Sequence, residues 1–211
     1  MSDPHADQPV AAAGSPLGRG TGVVVLAHGR HAAPANILEL ASRLDRPAWT
    51  YLAPAAAGRT WYPLSFMAPI PDNEPYLSSA LAAIGRVVDA AVGAGVAPSR
   101  IVLMGFSQGA CLTCEFAVRH PRRYGGVVAF TGGAIGPPGT TWPARGDFAA
   151  TPVFLGCSDI DPHVPLARVN ETAALFANMG AAVDTRIYPG MGHLVNDDEI
   201  GAAQAILDRA G

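Results

Sequence analysis

Val-Leu-Met-Gly-Phe-Ser-Gln-Gly-Ala-Cys, residues 102–111, reads as a buried strand that turns through Gly-x-Ser-x-Gly into a helix. The apolar run Ile101 to Met104 has strand length, and Ala110 to His120 has the length and composition of a helix that stops before Pro121. A tight turn between the two lifts the Ser107 side chain above the sheet edge, which makes Ser107 a candidate nucleophile. A serine hydroxyl reacts poorly at neutral pH, so it needs a base within hydrogen-bond reach and donors for the oxyanion. The backbone N–H of Gln108, free at a helix N-terminus, is one such donor. Gly105 and Gly109 leave the room that a crowded turn requires.

Two further signals follow along the chain. Thr151 to Gly156 is a short apolar strand, and Ser158-Asp-Ile-Asp-Pro-His-Val-Pro165 after it carries two carboxylates, Asp159 and Asp161, on a loop punctuated by proline. Either can orient an imidazole. Ala182 to Tyr188 is the next strand, and Pro189-Gly-Met-Gly-His193 then presents a histidine before a helix that starts near Asn196. His193 is the expected base. Nucleophile, acid and histidine thus stand in one order, each just after a strand.

Outside these motifs apolar strand-like runs alternate with helical ones, the pattern of an α/β protein with a mostly parallel sheet and helices on both faces. Strands are expected at 22–27, 48–53, 100–105, 125–130, 152–156 and 182–188, with helices near 34–44, 74–94, 108–119, 165–179 and 197–209. In the second helix Tyr76, Leu77, Ala80, Leu81, Ile84, Val87, Val88 and Ala91 recur at helical spacing, and Asp72 or Asn73 is placed to cap it. Residues 1–20 read as a flexible leader, punctuated by Gly14, Pro16, Gly18 and Gly20, and 21–211 as one domain. The segment 54–71 is long, aromatic and proline-rich, so it is expected to pass over the C-terminal edge of the sheet, where open α/β folds bind ligands. Trp61, Tyr62, Leu64, Phe66 and Met67 on it are the candidate substrate wall, the alternative being that these rings pack the loop onto the domain.

With 211 residues, 49% of them hydrophobic, the chain can bury one large core. A net charge of −3 and the lack of a basic stripe exclude nucleic acid or an anionic membrane as the main partner. No apolar run reaches the roughly 20 residues of a membrane span, and Met1 to Gly20 lacks the pattern of a signal peptide, so stable membrane insertion is not expected. Three cysteines fit a reducing compartment, and the expected location is cytoplasmic. Cys111-x-x-Cys114 lies within a helix, away from the N-terminal position that activates redox thiols, and reads as buried packing. His28, His31, His163 and His193 sit on separate loops with no metal-binding spacing, so neither metal nor cofactor is expected. His28 is expected to brace its loop, and His163 to be a surface loop residue, its other reading being the mouth of the site.

The chain resembles the phospholipase/carboxylesterase group of α/β-hydrolases, which includes bacterial carboxylesterases and acyl-protein thioesterases. The resemblance covers nearly everything after about residue 20. It rests on Gly-Phe-Ser-Gln-Gly (105–109), Asp-Pro-His-Val-Pro (161–165), Tyr-Pro-Gly-Met-Gly-His (188–193) and His28-Gly29. It implies a single-domain α/β-hydrolase with a Ser107, Asp161, His193 triad, since the family's acid opens the Asp-Pro-x-Val-Pro segment, and it leaves Asp159 as a supporting carboxylate. It also implies that the backbone N–H of Arg30 is the second oxyanion donor. Two departures are visible: Cys157-Ser158 stands where the family commonly has His-Gly, and the first loop reads His-Gly-Arg-His rather than a glycine-rich run.

The activity so implied is hydrolysis of carboxylic esters through an acyl-enzyme, on a small-molecule ester substrate. Relatives with Trp-Tyr-Pro at this place are small esterases, which implies short or medium acyl groups, aromatic ones included. A lysophospholipase or acyl-protein thioesterase is the alternative within the same chemistry. A non-catalytic module that binds a small ligand is the alternative of another class, and a homodimer stays open.

Overall fold

In a computed structural model that describes residues 3–143 and 145–211, the chain folds around one seven-stranded sheet. Its strands are β1 (Val10–Gly14), β2 (Val23–Ala27), β3 (Thr50–Pro54), β4 (Ile101–Phe106), β5 (Gly126–Phe130), β6 (Pro152–Ser158) and β7 (Ala182–Tyr188). They lie in the order β1-β3-β2-β4-β5-β6-β7, and only β1 runs antiparallel to its neighbour. The helices are α1 (Pro34–Ser42), α2 (Tyr76–Gly93), α3 (Gln108–Arg119), α4 (Leu166–Asn178) and α5 (Asp197–Ala210). The expected α/β class and the six expected strands hold, with ends displaced by two residues at most.

Alternation along the central strands distributes side chains to the two faces. Val23, Val25 and Ala27 of β2, with Ile101 and Leu103 of β4, meet α2, α3 and α4 in one core. Val24, Leu26, Val102 and Met104 point the other way, onto Ile37 and Ala41 of α1 and Ile200, Ala203 and Ile206 of α5. Both faces are therefore covered, as a parallel sheet requires. By length and composition α2 could cross a membrane, its 18 residues having a mean hydropathy of 1.2. Leu77, Ala80, Ile84, Val87 and Val88 are instead buried in the first core, and α2 is a core helix.

The leader is a correction. Met1 and Ser2 lie outside the described residues, but the rest of 1–20 is not a loose tail. Val10–Gly14 pairs along the whole of β3, and His5 is 1% exposed, its Nε2 2.9 Å from Trp61 O and its Nδ1 accepting from Ala57 N at 2.9 Å. The side chain of Asp3 reaches Arg86 at 3.0 Å and also bonds Ser79 Oγ. Backbone pairing needs no apolar pattern, which is why a stretch of three alanines can extend the sheet edge. A second correction concerns α2: neither Asp72 nor Asn73 caps it. Its first turn is held by Glu74, which accepts from Ser78 N at 3.0 Å, while the Asn73 amide is taken up by the 54–71 loop.

Candidate active site

The turn between β4 and α3 forces Ser107 to φ 55° and ψ −121°, a left-handed conformation that a non-glycine residue holds only under constraint from its surroundings. The constraint is crowding on both sides. A Cβ at Gly105 would stand 2.4 Å from Gly109 O, and one at Gly109 would stand 2.1 Å from Ala27 O, so strand, turn and helix can approach this closely only through glycine. Ser107 is held by its own N–H, which donates to Phe130 O at 3.0 Å. The hydroxyl is thereby left free to face the loops at the C-terminal ends of β6 and β7.

His193 meets it there. Its Nε2 lies 2.9 Å from Ser107 Oγ and its Nδ1 2.7 Å from Asp161 Oδ2. The Asp161 side chain is fully buried, and its other oxygen accepts the N–H groups of His163 and Val164, both at 2.8 Å. The carboxylate is thus fixed from two directions and aimed at the imidazole. Asp159 stands elsewhere: its Oδ1 accepts from Gly190 N at 2.8 Å, tying the histidine loop to the β6 loop. This geometry separates two aspartates that the residues alone left equivalent.

The two proposed oxyanion donors flank the serine. Gln108 opens α3, where an N–H has no partner within the helix. Arg30 follows Gly29, and a Cβ on Gly29 would lie 3.6 Å from Ser107 Cβ, which measures how close that loop comes. Among the described residues neither N–H is used in a backbone hydrogen bond. The Arg30 side chain does something the sequence did not suggest. Its guanidinium donates to Pro63 O at 2.7 Å and Tyr62 O at 3.1 Å and also reaches Leu64 O, clasping the 54–71 loop. The Gln108 side chain clasps the same loop, accepting from Trp61 N at 3.0 Å and donating to Tyr62 O at 2.8 Å. Asn73 completes the attachment through Leu64 N and Ser65 O.

These attachments divide the candidate substrate wall. Tyr62, Leu64 and Phe66 line a cleft of about 560 Å³ that also contains Ser107 and His193. Trp61 and Met67 do not line it, which corrects their assignment. Trp61 is fully buried, its indole N–H donating to His28 O at 2.8 Å and its ring 4.9 Å from that of His28; Met67 packs against the core. His28 braces the loop as expected, with Nδ1 2.8 Å from Gly29 O and Nε2 accepting from Ala56 N, and burial holds its imidazolium below the usual histidine range. His163 is an exposed loop residue, as expected, and it also lines the cleft, its ring 4.8 Å from that of His193, so both of its readings hold. Cys111 lies in the cleft wall, but burial pushes its thiol up to about 12 and leaves it protonated and unreactive at neutral pH.

The phospholipase/carboxylesterase family profile matches residues 10–210. A phospholipase/carboxylesterase from Dyadobacter fermentans DSM 18053 superposes with a TM-score of 0.90 at 42% identity, covering 95% of this chain and 97% of that one. Acyl-protein thioesterase 1 of Saccharomyces cerevisiae is 31% identical over 132 residues, 61% of this chain and 57% of that protein. A probable SOBER1-like carboxylesterase of Arabidopsis thaliana is 28% identical over 131 residues, 62% of this chain and 50% of that protein. The chain thus spans little more than half the length of these curated relatives, whereas the family profile and the bacterial structure run along nearly all of it. A hydrogen-bonded serine, histidine and aspartate on the β4, β7 and β6 loops, within such a match, leads to one conclusion: the chain belongs to the phospholipase/carboxylesterase family.

Proposed function

We propose that the protein hydrolyses carboxylic esters by acyl transfer to Ser107. The observation that carries this reading is the continuous hydrogen-bonded line from Asp161 through His193 to Ser107 at the floor of the cleft. With Nδ1–H donated to Asp161, Nε2 is free to take the Ser107 proton as Oγ attacks the ester carbonyl. The negative charge gathering on the carbonyl oxygen is met by the N–H groups of Gln108 and Arg30, each worth about 3 kcal/mol of barrier. His193 then passes its proton to the departing alkoxide. Water repeats the steps in reverse roles, giving the free acid and restoring Ser107.

Tyr62, Leu64 and Phe66 make the acyl wall. A cleft of about 560 Å³ falls within the range of small-molecule sites, and the wall is pinned by Arg30, Gln108 and Asn73, which supports short or medium acyl groups. Thioester cleavage uses the same line of residues, and the yeast thioesterase relative makes it the second reading. Cytoplasmic action is supported by three free, buried cysteines. The test is steady-state hydrolysis of p-nitrophenyl butyrate by the parent and by Ser107→Ala. Loss of at least three orders of magnitude with an unchanged melting temperature is expected. Activity of the variant within tenfold of the parent, or none in either protein, overturns the reading.

A further inference from the structure

Behind the loop that carries Gly29 and Arg30 lies a second cavity, of about 540 Å³, that the proposed chemistry does not use. It shares residues 29–32 and Phe106 with the cleft around Ser107, so the two are adjoining chambers. Its floor is apolar, with Ile37, Leu40 and Val195, and its rim carries Arg30, His31, Arg43 and Arg59. No aspartate or glutamate lines either chamber among the described residues. In a chain of net charge −3, this is a local field of the opposite sign.

The cations there are poorly neutralised. Arg30 donates only to carbonyl oxygens. Arg59 makes one long contact, from Nε to Ala32 O at 3.4 Å. Arg43 pairs with Asp197 at 2.6 Å, but the Asp197 side chain is fully exposed, and such surface pairs are weak and easily exchanged. The rim is also built under strain. His31 and Arg59 both hold left-handed backbone, at φ 62° and 61°, and are tied together by His31 N donating to Arg59 O at 2.7 Å. Non-glycine residues keep such conformations where neighbours over-determine them, most often at binding and catalytic sites.

We infer that the substrate is an ester whose leaving alcohol carries a carboxylate, bound by Arg59 and Arg43 in this second chamber. The inference rests on the ester-hydrolase reading above. The alcohol side follows from His193, which must reach the leaving oxygen. His193 lines the first chamber, but its ring stands 5.1 Å from that of Phe106, which lines both, and Val195, two residues beyond His193, lines the second. Tyr62, Leu64 and Phe66 line only the first, which leaves that side to the acyl chain. A guanidinium fork matches a carboxylate in plane and charge.

The test compares 3-(4-acetoxyphenyl)propionate with its neutral amide, whose leaving phenols are electronically alike, and p-nitrophenyl hemiglutarate with p-nitrophenyl pentanoate for the acyl side. For the first pair kcat/KM favours the carboxylate by about tenfold at low ionic strength, and the ratio shrinks as salt screens the rim. In the double variant Arg43→Gln, Arg59→Gln the ratio falls to about one, an effect carried by KM; the single Arg59→Gln gives the intermediate value and serves if the double variant folds poorly. A parent ratio near one, a preference that survives the substitutions, or a carboxylate preference confined to the acyl pair overturns the inference. Hydrolysis of the amide with a ratio near one sinks this inference alone, whereas hydrolysis of neither ester sinks the proposed function with it.

Discussion

Glu199 gives a prediction whose size and sign both come from its surroundings. It occupies the first turn of α5 with 0% exposure. One carboxylate oxygen accepts from Asn196 N at 2.9 Å, and the other has no partner among the described residues. That second oxygen is pressed against β6 so closely that a Cβ at Gly156 would fall 2.1 Å from it. Burial disfavours the charged form and raises the carboxyl from 4.5 to about 7. The folded state therefore holds this proton more tightly than the unfolded chain does. The resulting stability is fully present below pH 4.5 and is lost as pH rises through 7. A shift of that size corresponds to about 3 kcal/mol between the acidic and alkaline limits. Glu199→Gln keeps an acceptor for Asn196 N and removes the titration. Urea unfolding of both proteins from pH 4.5 to 8.5 should show near-equal stability at the acidic end and a more stable variant at the alkaline end. The expected gain approaches 3 kcal/mol, or very roughly 6–12 °C in Tm for a chain of this size. Parallel stability profiles, or a variant weaker at every pH, would refute the reasoning.

Three further outcomes follow from the site. Asp161→Asn should lower kcat by about four orders of magnitude, because the amide favours the wrong histidine tautomer, while Asp159→Asn, which still accepts from Gly190 N, should cost less than about tenfold; the reverse ranking in p-nitrophenyl ester turnover would move the acid to Asp159. Phe66→Ala opens the acyl wall and should raise kcat/KM for octanoyl relative to acetyl esters, each methylene newly accommodated contributing about 0.8 kcal/mol. Trp61→Ala should leave that ratio unchanged and instead destabilise the fold by about 3–5 kcal/mol in urea, since the ring is buried behind the cleft; a shifted ratio with intact stability would return Trp61 to the substrate wall.

What the residues disclosed and what they withheld divide along one physical line. The turn at Ser107 was legible because its requirements are local: an apolar strand, two glycines where nothing larger fits, and a helix in uninterrupted sequence. The position of His193 after its strand was local in the same sense. Strand β1 was hidden because Val10-Ala-Ala-Ala-Gly pairs through its backbone alone with a strand forty residues away. The aromatic loop was half legible. That Trp61 faces the core and Phe66 the cleft is decided by His28 and Gln108, both distant in sequence, together with Asn73 just beyond the loop, and no periodicity within 61–67 encodes it. The choice between Asp159 and Asp161 likewise lies in a turn that brings the backbone N–H groups of His163 and Val164 back onto one carboxylate, a geometry that spacing alone leaves undetermined.

The central claim, that Ser107 is the nucleophile activated by His193, is tested most directly by mapping a covalent adduct. The parent, Ser107→Ala and His193→Ala proteins are treated with a fluorophosphonate ester, and rates and sites of labelling are read by intact and peptide mass spectrometry. The account predicts one adduct per chain on the peptide containing Ser107, none at that peptide in Ser107→Ala, and labelling slowed by at least about a hundredfold in His193→Ala, since the hydroxyl then lacks its base. An adduct on another residue of the parent, or equal labelling rates with and without His193, would contradict it.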